Sequence, residues 1–261
     1  MEYFTFGQKE LRVTQNYHGT TSHKLHWYKA KKVCDYPIDI AGRDDNKSPY
    51  YATVDMKVVA IRGIGNSMTN TIWLVATEKC MTPSGEFTPF IALTHWNDND
   101  PYITNLQVGS IVKKGHPICE EGIDGATANH LHMVCGNADR GCGNELIKNG
   151  NKTASGGDVW VSNGYCMKPE EVMFIDREFT TKELWGGCLV WKEKPQIKYY
   201  PKSLYRGSSL VDGLKSVGIT SSFLNRSKIA KENGISRYRG NASQNVQLLN
   251  LLKQGKLIQA S

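Results

Sequence analysis

The sequence predicts a β-rich, antiparallel domain followed by a small all-helical one, and three observations carry that expectation. Hydrophobic periodicity changes near residue 196, from short β-type runs to apolar residues at helical spacing. Charge changes at the same place: residues 196–261 hold 11 Lys and Arg against Asp212 and Glu232, a balance of +9, whereas residues 1–195 balance at −2. Between the two regions, the stretch 192–203 carries Pro195, Pro201 and four lysines and reads as a linker. The expected organisation is therefore residues 1–191, a linker at 192–203, and a helical domain at 204–261.

The β elements are expected at Lys57–Ile61, Asn70–Ala76, Phe87–Thr94, Ile111–Cys119, His130–Val134 and Val159–Val161, each bounded by Gly, Asn or Asp. Gly136 to Gly164 is rich in Gly, Asn and Ser and reads either as a groove-wall loop or as a surface hairpin. In the tail, Ser209 with Asp212 caps an apolar set of Leu210, Val211, Leu214 and Val217, closed by Gly218. Phe223, Ile229 and Ala230 precede Gly234, and Asn241 with Gln244 opens Ala242, Val246, Leu249 and Leu252, closed by Gly255. A helical domain of only about 55 residues has a marginal core.

Composition narrows the function classes. The 261-residue chain is 39% hydrophobic and contains no apolar run approaching the roughly 18 residues of a membrane span, so no membrane partner is expected. Residues 1–10 lack a basic leader and an apolar stretch, so no signal peptide is readable. Seven cysteines, at 34, 80, 119, 135, 142, 166 and 188, form no CxxC pair, which suits free thiols and a reducing compartment of synthesis. The basic tail has few aromatics for stacking on bases (Tyr199, Tyr200, Tyr205, Phe223 and Tyr238) and no nucleic-acid motif, so a nucleic-acid partner is not expected and remains the weaker alternative.

Chemistry is concentrated in Asn129-His130-Leu131-His132. Residues two apart on a strand face the same side, so both imidazoles address one spot; alone, the pair is equally compatible with a solvated strand face. Asp39 lies in the extended apolar run 35–42, which would put its carboxylate at the end of a strand or in a turn. His95 closes the apolar run 90–94, and His18, His23 and His26 sit in a Gly/Thr/Ser-rich segment.

In that order, an early His and Asp, a mid-chain His after a strand and a late His-x-His, the chain resembles the M23 family of zinc metallopeptidases, the LytM and lysostaphin type. The stretch 108–118 looks like that family's hairpin before His-x-His. Val13-Thr14-Gln15, Ser22-His23, Asp39-Ile40-Ala41-Gly42, Asp124-Gly125, Lys168-Pro169-Glu170 and Phe174-Ile175-Asp176 are similar to its phage-lysin branch. The tail, through Asn225-Arg226, Asn233-Gly234-Ile235 and Gln244-Asn245, is similar to C-terminal modules of endolysins from phages of Gram-positive bacteria.

The resemblance implies an M23/LytM-like catalytic domain with Zn2+ as cofactor, His132 and Asp39 as metal ligands, and His95 and His130 as catalytic histidines. The family's usual first ligand stands four residues before the aspartate, where this chain has Asp35. His23 is the favoured ligand because Ser22-His23 matches the phage branch; His26, Asp35 and Cys34 are the alternatives. Zinc prefers nitrogen and sulfur but accepts carboxylate oxygen, so Asp35 is possible as a ligand, although two carboxylates and one imidazole make a less typical site. The implied reaction is amide hydrolysis in peptidoglycan stem or cross-bridge peptides by a zinc-activated water. The implied life history is synthesis in a host bacterial cytoplasm and action at the wall after release. The +9 tail would be drawn to teichoic-acid phosphates in Gram-positive walls. A catalytically inactive M23-like wall-binding protein is the principal alternative.

Overall fold

Apolar residues in unbroken runs, with no polar alternation, mark strands covered on both faces, and three such runs form the middle of one antiparallel sheet. They are β5 (Thr71–Ala76), β8 (Pro89–Thr94) and β11 (Leu131–Asn137). A computed structural model describes residues 1–17, 23, 36–42, 47–64, 69–140, 166–175 and 189–260. The other strands are β1 (Val13–Gln15), β2 (Ile38–Ile40), β3 (Pro49–Tyr51), β4 (Met56–Arg62), β6 (Cys80–Thr82), β7 (Gly85–Phe87), β9 (Ile111–Val112) and β10 (Pro117–Glu120). The seven-stranded sheet runs β1-β2-β11-β8-β5-β4-β9, and all of its pairings are antiparallel.

Strand pleating sorts the side chains. Ile72, Leu74, Ile91, Leu93, Leu131, Met133 and Cys135 enter the main core, while Trp73, Phe90, Ala92 and Val134 form a second cluster with Cys166. Two expectations change. The run 87–94 is split, since Gly85–Phe87 pairs with β6 and only Pro89–Thr94 joins the main sheet. The expected hairpin at 108–118 does not pair with itself: β9 adds to β4, and β10 adds to β3. The divergence follows the turn between them, where Gly115 N–H donates to the Ala52 carbonyl and His116 C=O accepts from Ala52 N–H, committing the second arm to the neighbourhood of β3. The expected strand at 159–161 lies outside the described residues, as does most of the Gly-rich stretch that holds it.

Cys80, Cys119, Cys135 and Cys166 are buried, and the first three are free thiols. Burial holds the Cys119 and Cys135 thiols well above their ordinary range, and burial with the Glu2 charge lifts Cys80 to about 11. Since the thiolate is the reactive form, brief alkylation of the native protein at pH 8 should leave Cys119 and Cys135 unmodified in peptide maps, with complete modification after denaturation. Labelling of either residue in the native state at the rate of a free peptide would contradict this burial.

The chain divides into two compact units, Met1–Lys194 and Pro195–Ser261. The segment expected as a linker is paired at both ends: Ile175 N–H donates to Lys192 C=O and Lys194 N–H to Ile175 C=O, while Tyr200 N–H donates to Leu257 C=O. In the first unit a single turn, α1 (Pro169–Val172), precedes Met173. In the second unit, α2 (Leu210–Lys215), α3 (Phe223–Glu232) and α4 (Ala242–Gln254) begin at Ser209, Ser222 and Asn241. Each of these side chains accepts the N–H three residues on, a cap worth about 1 kcal/mol. Leu210, Leu214, Ile229, Ala230, Leu248, Leu249 and Leu252 form the core, completed by Leu257. Val246 and Phe223 were expected on buried faces but are 47% and 54% exposed; the inward face of α4 passes through Leu248 and Leu249. Among the described residues no helix is long and apolar enough to cross a membrane.

Candidate metal centre

Cross-strand register builds this site. In β2 and β11, Ile38 faces Met133 and Ile40 faces Leu131, and all four are buried in the main core. The pleat therefore turns the pair between them, Asp39 and His132, to the opposite face. On the other side of β11, Thr94 is the partner of His132, so His95 emerges beside the same place. Asp39 sits in the middle of its three-residue strand, not at a strand end.

His23, whose side chain is 1% exposed, completes the group. Its Nε2 lies 3.1 Å from Asp39 Oδ1, and His132 Nδ1 lies 3.0 Å from the same oxygen. His130 Nε2 stands 3.4 Å away. Burial pushes the Asp39 carboxyl up, but the imidazoles of His130, His132 and His23 set against it outweigh burial and hold the group far below the usual carboxylate range.

Backbone carbonyls fix the tautomers. His23 Nδ1 faces Asn16 C=O at 3.1 Å, His95 Nδ1 faces Asp124 C=O at 2.7 Å, and His130 Nδ1 faces Ala128 C=O at 2.7 Å. A carbonyl only accepts, so each Nδ1 carries the proton and each neutral ring offers Nε2 as a lone pair. For His23 that lone pair meets a carboxylate oxygen. Two acceptors at 3.1 Å repel unless a proton or a cation lies between them.

A metal ion fits this requirement. The donor atoms of His23, Asp39 and His132 all lie within 4.8 Å of one another. Ligands about 2.05 Å from a tetrahedral ion are about 3.3 Å apart, close to the separations seen here. Two imidazoles and one carboxylate suit zinc and leave a fourth position. The Asn16 carbonyl behind His23 is the outer partner that orients a ligating imidazole.

His95 and His130 flank the group, with ring centroids 4.7 Å apart and His95 5.9 Å from His132. Burial, and then the His132 charge, lower the His95 pKa to about 4, so its ring is neutral at pH 7. For His130 burial disfavours the charge, yet the hydrogen bond and charge of Asp39 outweigh it and raise the pKa. His95 has φ +81, a left-handed conformation that costs a non-glycine residue about 1–3 kcal/mol. Gly122 packs beneath it: a Cβ there would stand 2.2 Å from the His95 carbonyl oxygen.

All five expected site residues, His23, Asp39, His95, His130 and His132, thus gather at one place. The alternatives His26, Asp35 and Cys34 lie outside the described residues. Asn16, Asn70 and Gly122 support the site without any signal in the sequence; a lone Asn beside a strand reads as a turn residue.

No protein-family model and no curated protein sequence matches the chain. Solved structures do. One is LytU, at 21% identity over 65% of this chain and 87% of that one, with a TM-score of 0.35. A second is a zinc-containing peptidase from Vibrio cholerae, at 20% identity over 49% of this chain and 37% of that one, with a TM-score of 0.31. A third is a peptidase M23 from Pseudomonas aeruginosa, at 16% identity over 51% of this chain and 49% of that one, with a TM-score of 0.26. The chain spans half or less of the last two. Likenesses of this size carry no assignment, and the site stands on its own geometry.

Proposed function

We propose that this chain is a zinc-dependent peptidoglycan hydrolase of the endolysin type. The β-rich unit cleaves amide bonds in stem or cross-bridge peptides as an M23-like metalloendopeptidase, and the helical unit holds the protein on the wall. The observation that supports this most is the His23–Asp39–His132 group, whose His23 lone pair faces a half-buried carboxylate with its other nitrogen already committed to Asn16. Zinc held there would supply Lewis acidity to polarise a peptide carbonyl and to acidify water.

The chain's own residues then have separate tasks. Asp39 supplies the negative charge and, with His23 and His132, fixes the donor triangle. His95 and His130 each present Nε2 with Nδ1–H pinned on a backbone carbonyl, so neither ring is free to flip. Such a nitrogen takes a proton from attacking water, hydrogen-bonds to the developing oxyanion, and returns a proton to the leaving amine. Loss of turbidity in purified Gram-positive walls, with mass spectrometry showing new amino termini at one peptide bond, tests the reaction. Intact muropeptides after prolonged incubation with the zinc-loaded protein would refute it.

The tail's part rests on its +9 balance. A chain truncated after Lys194 should still cleave small soluble peptides but sediment poorly with walls. Residues 195–261 alone should sediment with walls, and less so as salt rises, because exposed charge contacts are screened at a Debye length of about 8 Å in physiological salt. A tail that binds DNA tightly and ignores walls at every ionic strength would contradict the wall-binding role.

A further inference from the structure

Asn70 stands just before β5, is 1% exposed, and directs its polar groups at the segment 95–98 and at Asp124. Its backbone carbonyl accepts His95 N–H at 2.9 Å, and its Nδ2 donates to the Trp96 carbonyl at 2.9 Å and to Asp98 Oδ1 at 2.8 Å. The amide before the His95 side chain and the carbonyl just after it are therefore both held by one residue. Asn70 N–H also donates to Asp124 Oδ2 at 2.6 Å. Asp124 closes the ring: its carbonyl accepts His95 Nδ1–H at 2.7 Å, and its N–H donates to the His95 carbonyl at 3.1 Å.

His95 does not choose φ +81 by itself, so this conformation is imposed by its surroundings. The Asn70 amide is equally constrained. Both acceptors face Nδ2, which settles the orientation of the amide, and Oδ1 lies against Gly63, where a Cβ would stand 2.1 Å away.

We propose that Asn70 is the positioning residue that aims His95 Nε2 at the His23–Asp39–His132 group, acting through the His95 backbone and Asp124 and touching neither metal nor substrate. The proposal rests on the reading of His95 as a proton-handling residue. A residue that merely supported the fold would, when altered, move stability, metal content and KM together. A positioning residue moves kcat and the state of one imidazole.

The test uses full-length zinc-loaded protein. Asn70→Asp keeps the shape but replaces the donating Nδ2 by an oxygen that only accepts, set against the Trp96 carbonyl and Asp98 Oδ1, and Asp98→Ala removes the exposed acceptor while leaving the Trp96 contact. Steady-state cleavage of a soluble wall peptide, zinc content, and long-range proton–nitrogen NMR of 15N-histidine protein are measured, with His95 assigned by difference from His95→Gln. Asn70→Asp should lower kcat about tenfold or more, since small misplacements of a catalytic group cost up to about 100-fold, with zinc retained and KM within about twofold. The His95 signal should change from a fixed Nδ1–H tautomer to an average of two. Asp98→Ala should shift both readouts in the same direction by less.

Unchanged kcat with an unchanged His95 tautomer in Asn70→Asp overturns the proposal, as does loss of kcat in step with zinc. If Asn70→Asp does not fold, Asp98→Ala decides by the same two readouts. A wild-type protein that neither takes up zinc nor cleaves walls refutes the hydrolase reading, whereas the His95 tautomer in wild type and variant still decides the role of Asn70.

Discussion

Replacing His132 by alanine is expected to abolish zinc binding and wall lysis together. His132 supplies one of three donors, and its Nδ1 sits 3.0 Å from the carboxylate oxygen that also faces His23. With it gone, two donors cannot hold the ion against water, and metal content should fall from stoichiometric to background. His23→Ala should do the same, because its only other nitrogen is spent on Asn16. Asp35→Asn should retain both zinc and activity, since the His23–Asp39–His132 group is complete without it. Full zinc in His23→Ala, with loss in Asp35→Asn, would reassign the first ligand.

His95→Ala and His130→Ala should behave in the opposite way. Both residues flank the donor triangle without being needed to close it, so zinc stays while the rate falls by about 100- to 10,000-fold, the range of a positioned acid-base group. The readouts are metal analysis and single-turnover cleavage of a soluble peptide, which separates chemistry from wall binding. Loss of zinc in either variant would move that residue into the metal's own ligand set. Activity within a few fold of wild type would remove it from the chemistry.

How much of this was legible in the sequence depends on how local each signal is. His130 and His132 are two apart in one element, so their shared face could be read directly. The middle strands were legible because their apolar runs are continuous, and the helix starts because Ser209 and Asn241 cap within three residues. Asp39 was harder to place. Its strand is three residues long, too short for periodicity, and what sets its carboxylate against His132 is register between residues 93 apart. The 108–118 hairpin was expected from family likeness alone, and local pattern cannot reveal that β3 and β4 claim one arm each. No glycine marks the positive φ of His95; it is imposed by Asn70, Gly122 and Asp124, which reach it from other parts of the chain. Val246 fits the helical spacing, yet only the position of Leu257 and the other helices shows which stripe of α4 faces inward.

X-ray absorption at the zinc K edge of the loaded, full-length protein is the most direct test of the donor set. With His23, Asp39 and His132 as ligands, the first shell should contain only nitrogen and oxygen at about 2.0–2.2 Å, with outer-shell scattering from two imidazoles. His23→Ala should lose the metal and with it this signal. A sulfur shell at about 2.3 Å, which would bring in a cysteine such as Cys34, or a protein that takes up no stoichiometric zinc, would contradict the account.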